Sequence, residues 1–230
     1  MKRLFTLIFL SFSFGAFSQD ILLAQNVKAD TIRPTRGPNL KHFVQGYVGL
    51  GLPVYTNEDV IYTKFGASSA IDFGLRYKRK LASHFAIGLD LGASLAGYKI
   101  KQDDGKTVPD TIINEKEKFQ INTIMGSAYM RINVGRRGNY IGNYLDLGAF
   151  GGWNCVKKLK TSNENAEGEK VKVVTSGLNY VENFSYGLLT RLGSGRYAFT
   201  AVYRLSDIFE ASYEIPELPR LTIGVEIGIF

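Results

Sequence analysis

Residues 70–95 read AIDFGLRYKRKLASHFAIGLDLGASL, and this stretch decides the fold. Apolar or aromatic side chains occupy alternate positions, first in 71–77 and again in 85–95, and small or charged residues fill the positions between them. This period of two is that of a β-strand whose two faces meet different environments. The short segment 79–83 predicts a tight turn, so the stretch is expected to form a β-hairpin.

The same alternation recurs along the rest of the chain and predicts eight strands in total. The other six lie near 42–52, 118–134, 145–154, 185–192, 197–205 and 221–229. In strand four the apolar positions change parity near Gly126, which predicts a β-bulge there. Short turns follow strands two, four and six, whereas long polar connections follow strands one, three, five and seven. The longest, at 156–179, is expected to be a mobile surface loop.

The composition of the two faces indicates which one meets lipid. One face is almost free of charge on all eight strands, as a bilayer requires, because a charge near the midplane costs about 2–4 kcal/mol. The other face mixes small residues with isolated charges, which suits the crowded interior of an eight-stranded barrel. We therefore predict an all-β fold, an eight-stranded antiparallel up-and-down transmembrane β-barrel spanning 41–230. A soluble binding barrel of the lipocalin kind is the alternative.

The inward face carries both signs of charge, and an unpaired charge in a medium of low dielectric constant is costly. We therefore expect a structural network of paired charges that fills the lumen. Its predicted members are Asp72, Arg76, Asp90, Arg131, Asp146, Arg191, Arg204 and Glu226. A lumen filled in this way is a plug, so we do not expect a general porin.

Aromatic residues near the strand ends are expected to form the girdles that meet the two membrane interfaces. These residues are Tyr77, Phe85, Trp153, Tyr197 and Phe209.

The first residues have the pattern of an export signal. Lys2 and Arg3 precede a mostly apolar stretch at 4–17, and small residues at 16 and 18 fit a signal peptidase site. We expect cleavage before Gln19, giving a signal peptide at 1–18 and a flexible segment at 19–40. Loss of the signal lowers the formal net charge from +7 to +5, a modest excess that does not indicate nucleic acid binding.

Nothing in the sequence has the pattern of a catalytic, cofactor or metal site. The two histidines, His42 and His84, map to strand ends on the periplasmic side, whereas barrel enzymes work at the outer leaflet. Asp103, Asp104 and Asp110 could meet a divalent cation only weakly, since lysines interleave them. We therefore expect no enzyme activity, no cofactor and no metal.

One long connection is locally basic. Its lysines are Lys157, Lys158, Lys160, Lys170 and Lys172. They could touch anionic lipopolysaccharide, although Glu164, Glu167 and Glu169 offset them.

The chain resembles the small outer-membrane β-barrel proteins common in Bacteroidetes, the broad group that includes PorT-like proteins. The resemblance covers about 40–230 and rests on the export signal, the eight-strand meander, the stretch YRLSD at 203–207 and a closing strand that ends at Phe230. It implies an integral outer-membrane protein with Phe230 as its insertion signal. Gly228 and Glu226 depart from that signal, because apolar residues usually occupy those alternate positions.

Together these features predict a non-enzymatic protein in the outer membrane of a Gram-negative bacterium. The expected role is a structural or accessory part of a cell-envelope assembly, and the resemblance extends this to type IX secretion or gliding. Expected partners are outer-membrane lipid, lipopolysaccharide and other envelope proteins. A narrow channel for small solutes and a lipid-modifying enzyme are the alternatives.

Overall fold

The computed structural model describes residues 36–54, 61–64, 66–102, 106, 112–135, 138–164, 168–213 and 215–229. The predicted signal peptide, most of the segment 19–40 and Phe230 lie outside these ranges. The strands are β1 (His42–Val54), β2 (Ser69–Lys80), β3 (Phe85–Lys99), β4 (Lys116–Val134), β5 (Asn143–Glu164), β6 (Lys170–Ser176), β7 (Phe184–Ser194), β8 (Tyr197–Arg204) and β9 (Leu221–Ile229). A 3₁₀ turn covers Ala211–Tyr213. No helix in the described ranges is both long and apolar enough to cross a membrane.

Eight of these strands close into a ring. Each is antiparallel to the next, in the order β1, β2, β3, β4, β5, β7, β8, β9, and β9 pairs back onto β1. The closing register runs from Gly46 opposite Ile229 to Val54 opposite Leu221. The prediction of an eight-stranded antiparallel up-and-down barrel is confirmed.

The two ends of the barrel differ. At one end, called here the turn end, short connections follow β2, β4 and β7. The opposite, loop end carries the longer connections after β1, β3, β5 and β8. Residues 36–40 also lie against the turn end, where Lys78 Nζ donates to the Pro38 carbonyl and Asn39 Nδ2 donates to the Gly138 carbonyl at 2.9 Å.

An apolar belt surrounds the barrel. Outward side chains on every ring strand are large, apolar and exposed, among them Val44, Leu50, Phe73, Leu75, Ile87, Leu89, Leu91, Ile124, Met130, Leu147, Leu188, Leu192, Phe199, Val225 and Ile227. Along the described strands the outward charges lie only at the two ends, with Arg79 at the turn end and lysines at the loop end. A soluble protein would not expose such a continuous apolar surface, whereas lipid stabilises it. The barrel therefore has the outer surface of a transmembrane fold.

The predicted parity change in β4 is wrong. The buried residues of β4 keep one parity along the whole strand, so Phe119 and Ile121 point inward in step with Tyr129 and Arg131. The irregularity lies on the neighbouring strand, since Thr123 pairs with Asn154 while Asn122 pairs with Val156. This leaves Cys155 as the extra residue of a β-bulge in β5.

The prediction of a mobile surface loop at 156–179 is also wrong, because two strands cover most of this segment. β5 continues to Glu164, and β6 turns back along it with Lys158 opposite Ser176 and Glu164 opposite Lys170. β5 pairs there with β4 as well, from Lys116 opposite Ser162 to Asn122 opposite Val156. A three-stranded sheet, called here the extension, therefore continues the barrel wall beyond its loop end.

The outward belt gives a direct test of the lipid-facing surface. Replacing Leu89, which is 60% exposed, by arginine should lower the free energy of unfolding in lipid vesicles by about 2–4 kcal/mol. Urea titration of the vesicle-inserted protein measures the change. Leu89→Met is the control and should unfold close to wild type, whereas equal unfolding of Leu89→Arg and wild type would contradict the lipid-facing assignment.

Candidate functional site: the ionic lumen and the loop-end cap

The middle of the lumen contains a chain of charged side chains that begins at Arg76. Its Nη1 and Nη2 donate to the two carboxylate oxygens of Glu226 at 2.5 and 2.9 Å, and its Nε donates to Asp90 Oδ1 at 3.1 Å. The guanidinium is almost completely buried, with 1% of the side chain exposed. Paired, forked geometry of this kind is the strongest form of ion pair available to arginine.

The chain continues across the lumen through Arg191. Its Nη2 donates to Asp90 Oδ2 at 2.5 Å, and its Nη1 lies 3.6 Å from Asp146 Oδ2. Asp146 in turn accepts two bonds of 2.7 Å from Nε and Nη2 of Arg131. Three arginines and three carboxylates thus form one connected, charge-balanced network across the barrel.

Strand register explains why these residues meet. Arg76 lies directly opposite Asp90, and Asp146 lies opposite both Arg131 and Arg191 on its two neighbouring strands. Directly opposed side chains in an antiparallel pair lie close enough to interact. The contacts of Arg76 with Glu226 and of Arg191 with Asp90 then join these local pairs across the lumen.

Inward tyrosines pack against the same arginines. The Arg131 guanidinium carbon lies 3.6 Å from the ring centroid of Tyr144, and that of Arg76 lies 4.6 Å from the ring of Tyr47. Arg191 approaches the ring of Tyr129 at 5.4 Å. Such contacts stabilise a guanidinium that has lost its water. The alternating pattern of the sequence did not predict that these tyrosines belong to the network.

Glycine makes room for these rings. A side chain at Gly88 would overlap the ring of Tyr129, and one at Gly193 would overlap the ring of Tyr144. Each glycine lies at an inward position directly opposite its tyrosine on the neighbouring strand. The tyrosine ring therefore covers the space that a side chain at the glycine would fill. An inward glycine beside an inward tyrosine is the sequence signal that could have identified them.

Two predicted members of the network lie elsewhere. Asp72 lines a cavity of about 90 Å³ nearer the loop end, together with Ser94, Tyr98 and Thr222. Arg204 lies at the loop end, where its Nη2 donates to Glu217 Oε1 at 3.2 Å and to the Leu218 carbonyl at 3.0 Å. The structure therefore brings together six of the eight predicted residues.

An apolar cluster, called here the cap, lies across the loop end. Its buried members come from β3, β4 and the long connections: Ile61, Tyr98, Ile100, Phe119, Ile121, Leu178, Val181, Ile208, Phe209 and Leu218. Phe119 packs edge-on against Phe209 with ring centroids 5.5 Å apart. Phe209 was predicted to lie in the interfacial girdle, and that prediction is wrong because its side chain is buried in the cap.

The cap also includes polar groups. Burial raises the pKa of the Tyr180 hydroxyl to about 12, and the nearby Glu117 carboxylate adds to this effect. Glu117 is itself buried beside the cap, where its Oε2 lies 2.5 Å from Lys106 Nζ and accepts a bond of 3.1 Å from Asn114 Nδ2. These contacts attach the long connection after β3 to the extension.

The histidines lie at the turn end. His42 Nδ1 is 2.7 Å from the Tyr77 hydroxyl, and His84 Nδ1 is 3.0 Å from Ser83 Oγ. Within the described ranges no group of three or more His, Cys, Asp or Glu residues could hold a metal ion. Asp103, Asp104 and Asp110, the acidic residues considered above, lie outside those ranges.

Comparison with known proteins adds little. No model of a protein family matches the chain, and no curated protein matches it. Among solved structures it is similar to Ail, the attachment invasion locus protein of Yersinia pestis, crystallised in complex with the heparin analogue sucrose octasulfate. The identity is 12%, the match covers 80% of this chain and 94% of that chain, and the TM-score is 0.31. Values of this size give no basis for transferring a ligand or a role.

The ionic network predicts strong coupling between its members. Arg76→Met should lower the free energy of unfolding by about 3–5 kcal/mol, because it leaves Glu226 without its forked partner and weakens the pairing of Asp90. Adding Glu226→Gln should recover part of that loss, so the double variant should be more stable than the sum of the single variants predicts.

Urea titrations of the wild type, the two single variants and the double variant measure this coupling. Arg79→Met, on the same strand but exposed at the turn end, is the control and should change stability by no more than about 0.5 kcal/mol. Strict additivity of Arg76→Met and Glu226→Gln would contradict the network.

Proposed function

We propose that this protein is a non-conducting, non-enzymatic outer-membrane barrel of a Gram-negative bacterium that presents a folded surface to other envelope components. The observation that carries the proposal is the buried network from Glu226 through Arg76 and Asp90 to Arg131. A conducting lumen needs a continuous path of water, whereas these side chains bond to one another across the barrel.

The cavities beside the network support a closed lumen. They measure about 90 and 30 Å³, which is room for a few water molecules. The cap lies beyond them at the loop end, and Phe43, Ile141, Tyr144 and Ala198 form a second small apolar cluster at the turn end. A solute would have to displace three layers of packed side chains.

The topology supports an orientation. Barrels of this kind place short turns in the periplasm and long connections outside the cell. His42 and Ile229, at the two ends of the described barrel, also lie at the turn end. We therefore assign the turn end to the periplasm, and the cap and the extension to the outside.

The positions of the histidines favour a non-enzymatic role. In this orientation His42 and His84 are periplasmic, remote from the outer leaflet where a lipid-modifying enzyme would meet its substrate. The resemblance to PorT-like proteins of Bacteroidetes refines the proposal to an accessory part of type IX secretion or gliding.

Planar-bilayer recording tests the closed lumen. Wild-type protein should insert without steady conductance, whereas Arg76→Ala combined with Arg191→Ala should show openings, because both cross-lumen contacts are lost. Leu89→Met is the matched control and should stay closed. Steady wild-type conductance that changes when Arg76 or Arg191 is neutralised would instead support a narrow solute channel.

Co-purification tests the accessory role. In a hairpin variant, a two-residue Asn-Gly turn replaces residues 161–173 and joins Lys160 to Val174, which are directly opposite in the register. This keeps Leu159, which packs on the cap. Tagged wild type should retain envelope proteins in mild detergent, and the hairpin variant should lose them while still inserting into membranes.

Recovery of only free monomer from wild-type cells, with no phenotype on deletion of the gene, would contradict the accessory role. Loss of the variant from the membrane fraction would show that the hairpin stabilises the barrel instead of serving as a contact surface.

A further inference from the structure

The outward face of the extension concentrates lysine. Lys99 of β3, Lys118 of β4 and Lys160 of β5 lie directly opposite one another across three neighbouring strands. In the next row along the strands, Lys116 and Lys172 lie on either side of Ser162. Residues opposed in this way project from the same side of a sheet. With Lys158 and Lys170, these residues make up what we call the lysine face.

The opposite side of the same sheet explains why the lysines point outward. Glu117, Phe119 and Ile121 of β4 alternate with the lysines and are buried. Leu159 of β5, opposite Phe119, packs on the cap. Because this inner face of β4 and β5 packs on the cap, the alternate positions face outward, and Lys116, Lys118 and Lys160 are exposed. Both sides of β6 are exposed, and its register places Lys170 and Lys172 on the same side as these lysines.

This arrangement has an electrostatic cost. Like charges directly opposite each other destabilise a sheet, and here three lysines are opposed in one row. Among the described residues of these rows and the next row outward, the only carboxylate is Glu164, opposite Lys170. At the edge, Lys116 lies 3.6 Å from Glu115. Among the described residues, Lys118, Lys158 and Lys160 form no ion pair. An anionic ligand would remove the repulsion, and local rules are often broken at functional sites.

The height of the lysine face above the membrane indicates the kind of anion. The same side of the wall carries Ile124 and Trp153, which pair with each other in the belt. Lys118 lies six residues beyond Ile124, or about 20 Å along the strand at ~3.4 Å per residue. Lipid head groups extend only about 5–8 Å beyond the hydrocarbon core. For a strand tilted by about 35–45°, Lys118 lies about 14–16 Å above Ile124, and the end of the Lys118 side chain leans back over Gly97. The lysine face therefore begins near the level of the lipid phosphates and extends above them to the level of surface sugars.

We infer that the lysine face binds the phosphorylated oligosaccharide of lipopolysaccharide in the same leaflet. Lysine suits this ligand, because its ammonium group binds phosphate as a compact point charge without requiring a planar partner. The inference rests on the proposed outer-membrane orientation. It gives the extension a specific ligand and goes beyond the closed-lumen proposal.

The test uses full-length protein in zwitterionic detergent and fluorescently labelled lipopolysaccharide with a phosphorylated core. Lys118→Gln combined with Lys160→Gln should weaken binding at least tenfold, and the wild-type affinity should fall with added salt. The matched control, Lys41→Gln with Arg79→Gln, removes the same charge at the turn end and should stay within twofold of wild type. Single Lys160→Gln should give an intermediate affinity.

A second readout separates ligand binding from a structural role. Without ligand, Lys118→Gln/Lys160→Gln should have a higher Tm than wild type, because an opposed pair of like charges is gone. Lipopolysaccharide should raise the Tm of wild type more than that of this variant.

Four results would overturn the inference. They are equal binding by wild type and Lys118→Gln/Lys160→Gln, equal weakening in the turn-end control, equal binding of enzymatically dephosphorylated lipopolysaccharide, and equally tight binding of soluble dextran sulfate. Surface labelling, in intact cells, of a tag inserted between β5 and β6 tests the orientation separately. A conducting lumen would refute the closed barrel and leave the lysine face intact.

Discussion

The structure depends on the mutual pairing of Arg76, Arg191 and Arg131 with Glu226, Asp90 and Asp146 in the middle of the barrel. Each of these charges would be costly inside a membrane without a partner, and together they balance. The network fixes which side of each strand faces inward, because a slip of one residue would place these charges in lipid. Small and aromatic residues then fill the remaining lumen, and the opposite side of each strand is left apolar.

The barrel could be predicted from the sequence because its constraint repeats at every second residue. Between Ile71 and Leu95 the two faces differ so clearly that strand, turn and orientation follow from the pattern. The inward positions of Arg76 and Asp90 came from the same parity. The sequence could not identify their partners across the lumen, because contacts such as that between Arg76 and Glu226 depend on how the ring closes.

The loop end could not be predicted in the same way. Phe119 and Ile121 are apolar and inward, since the inward side chains at this end pack in the cap. Their parity therefore suggested a bulge in β4, whereas the bulge lies at Cys155 in β5. Beyond the membrane a strand no longer needs an apolar outer face. The lysine-rich sequence of β5 and β6 therefore suggested a mobile loop, whereas in the structure these lysines line one face of a sheet.

The outward face of the barrel lies in lipid, and Trp153 can report on this contact through its fluorescence. It is the only tryptophan of the chain, it is 48% exposed on the outer wall, and its ring packs edge-on against Phe184 at 4.7 Å. In vesicles that contain brominated lipids, its fluorescence should be quenched most by bromine near the head group and less by bromine at the chain end, with weak quenching by aqueous acrylamide. Strong quenching by acrylamide and none by any brominated lipid would contradict the account.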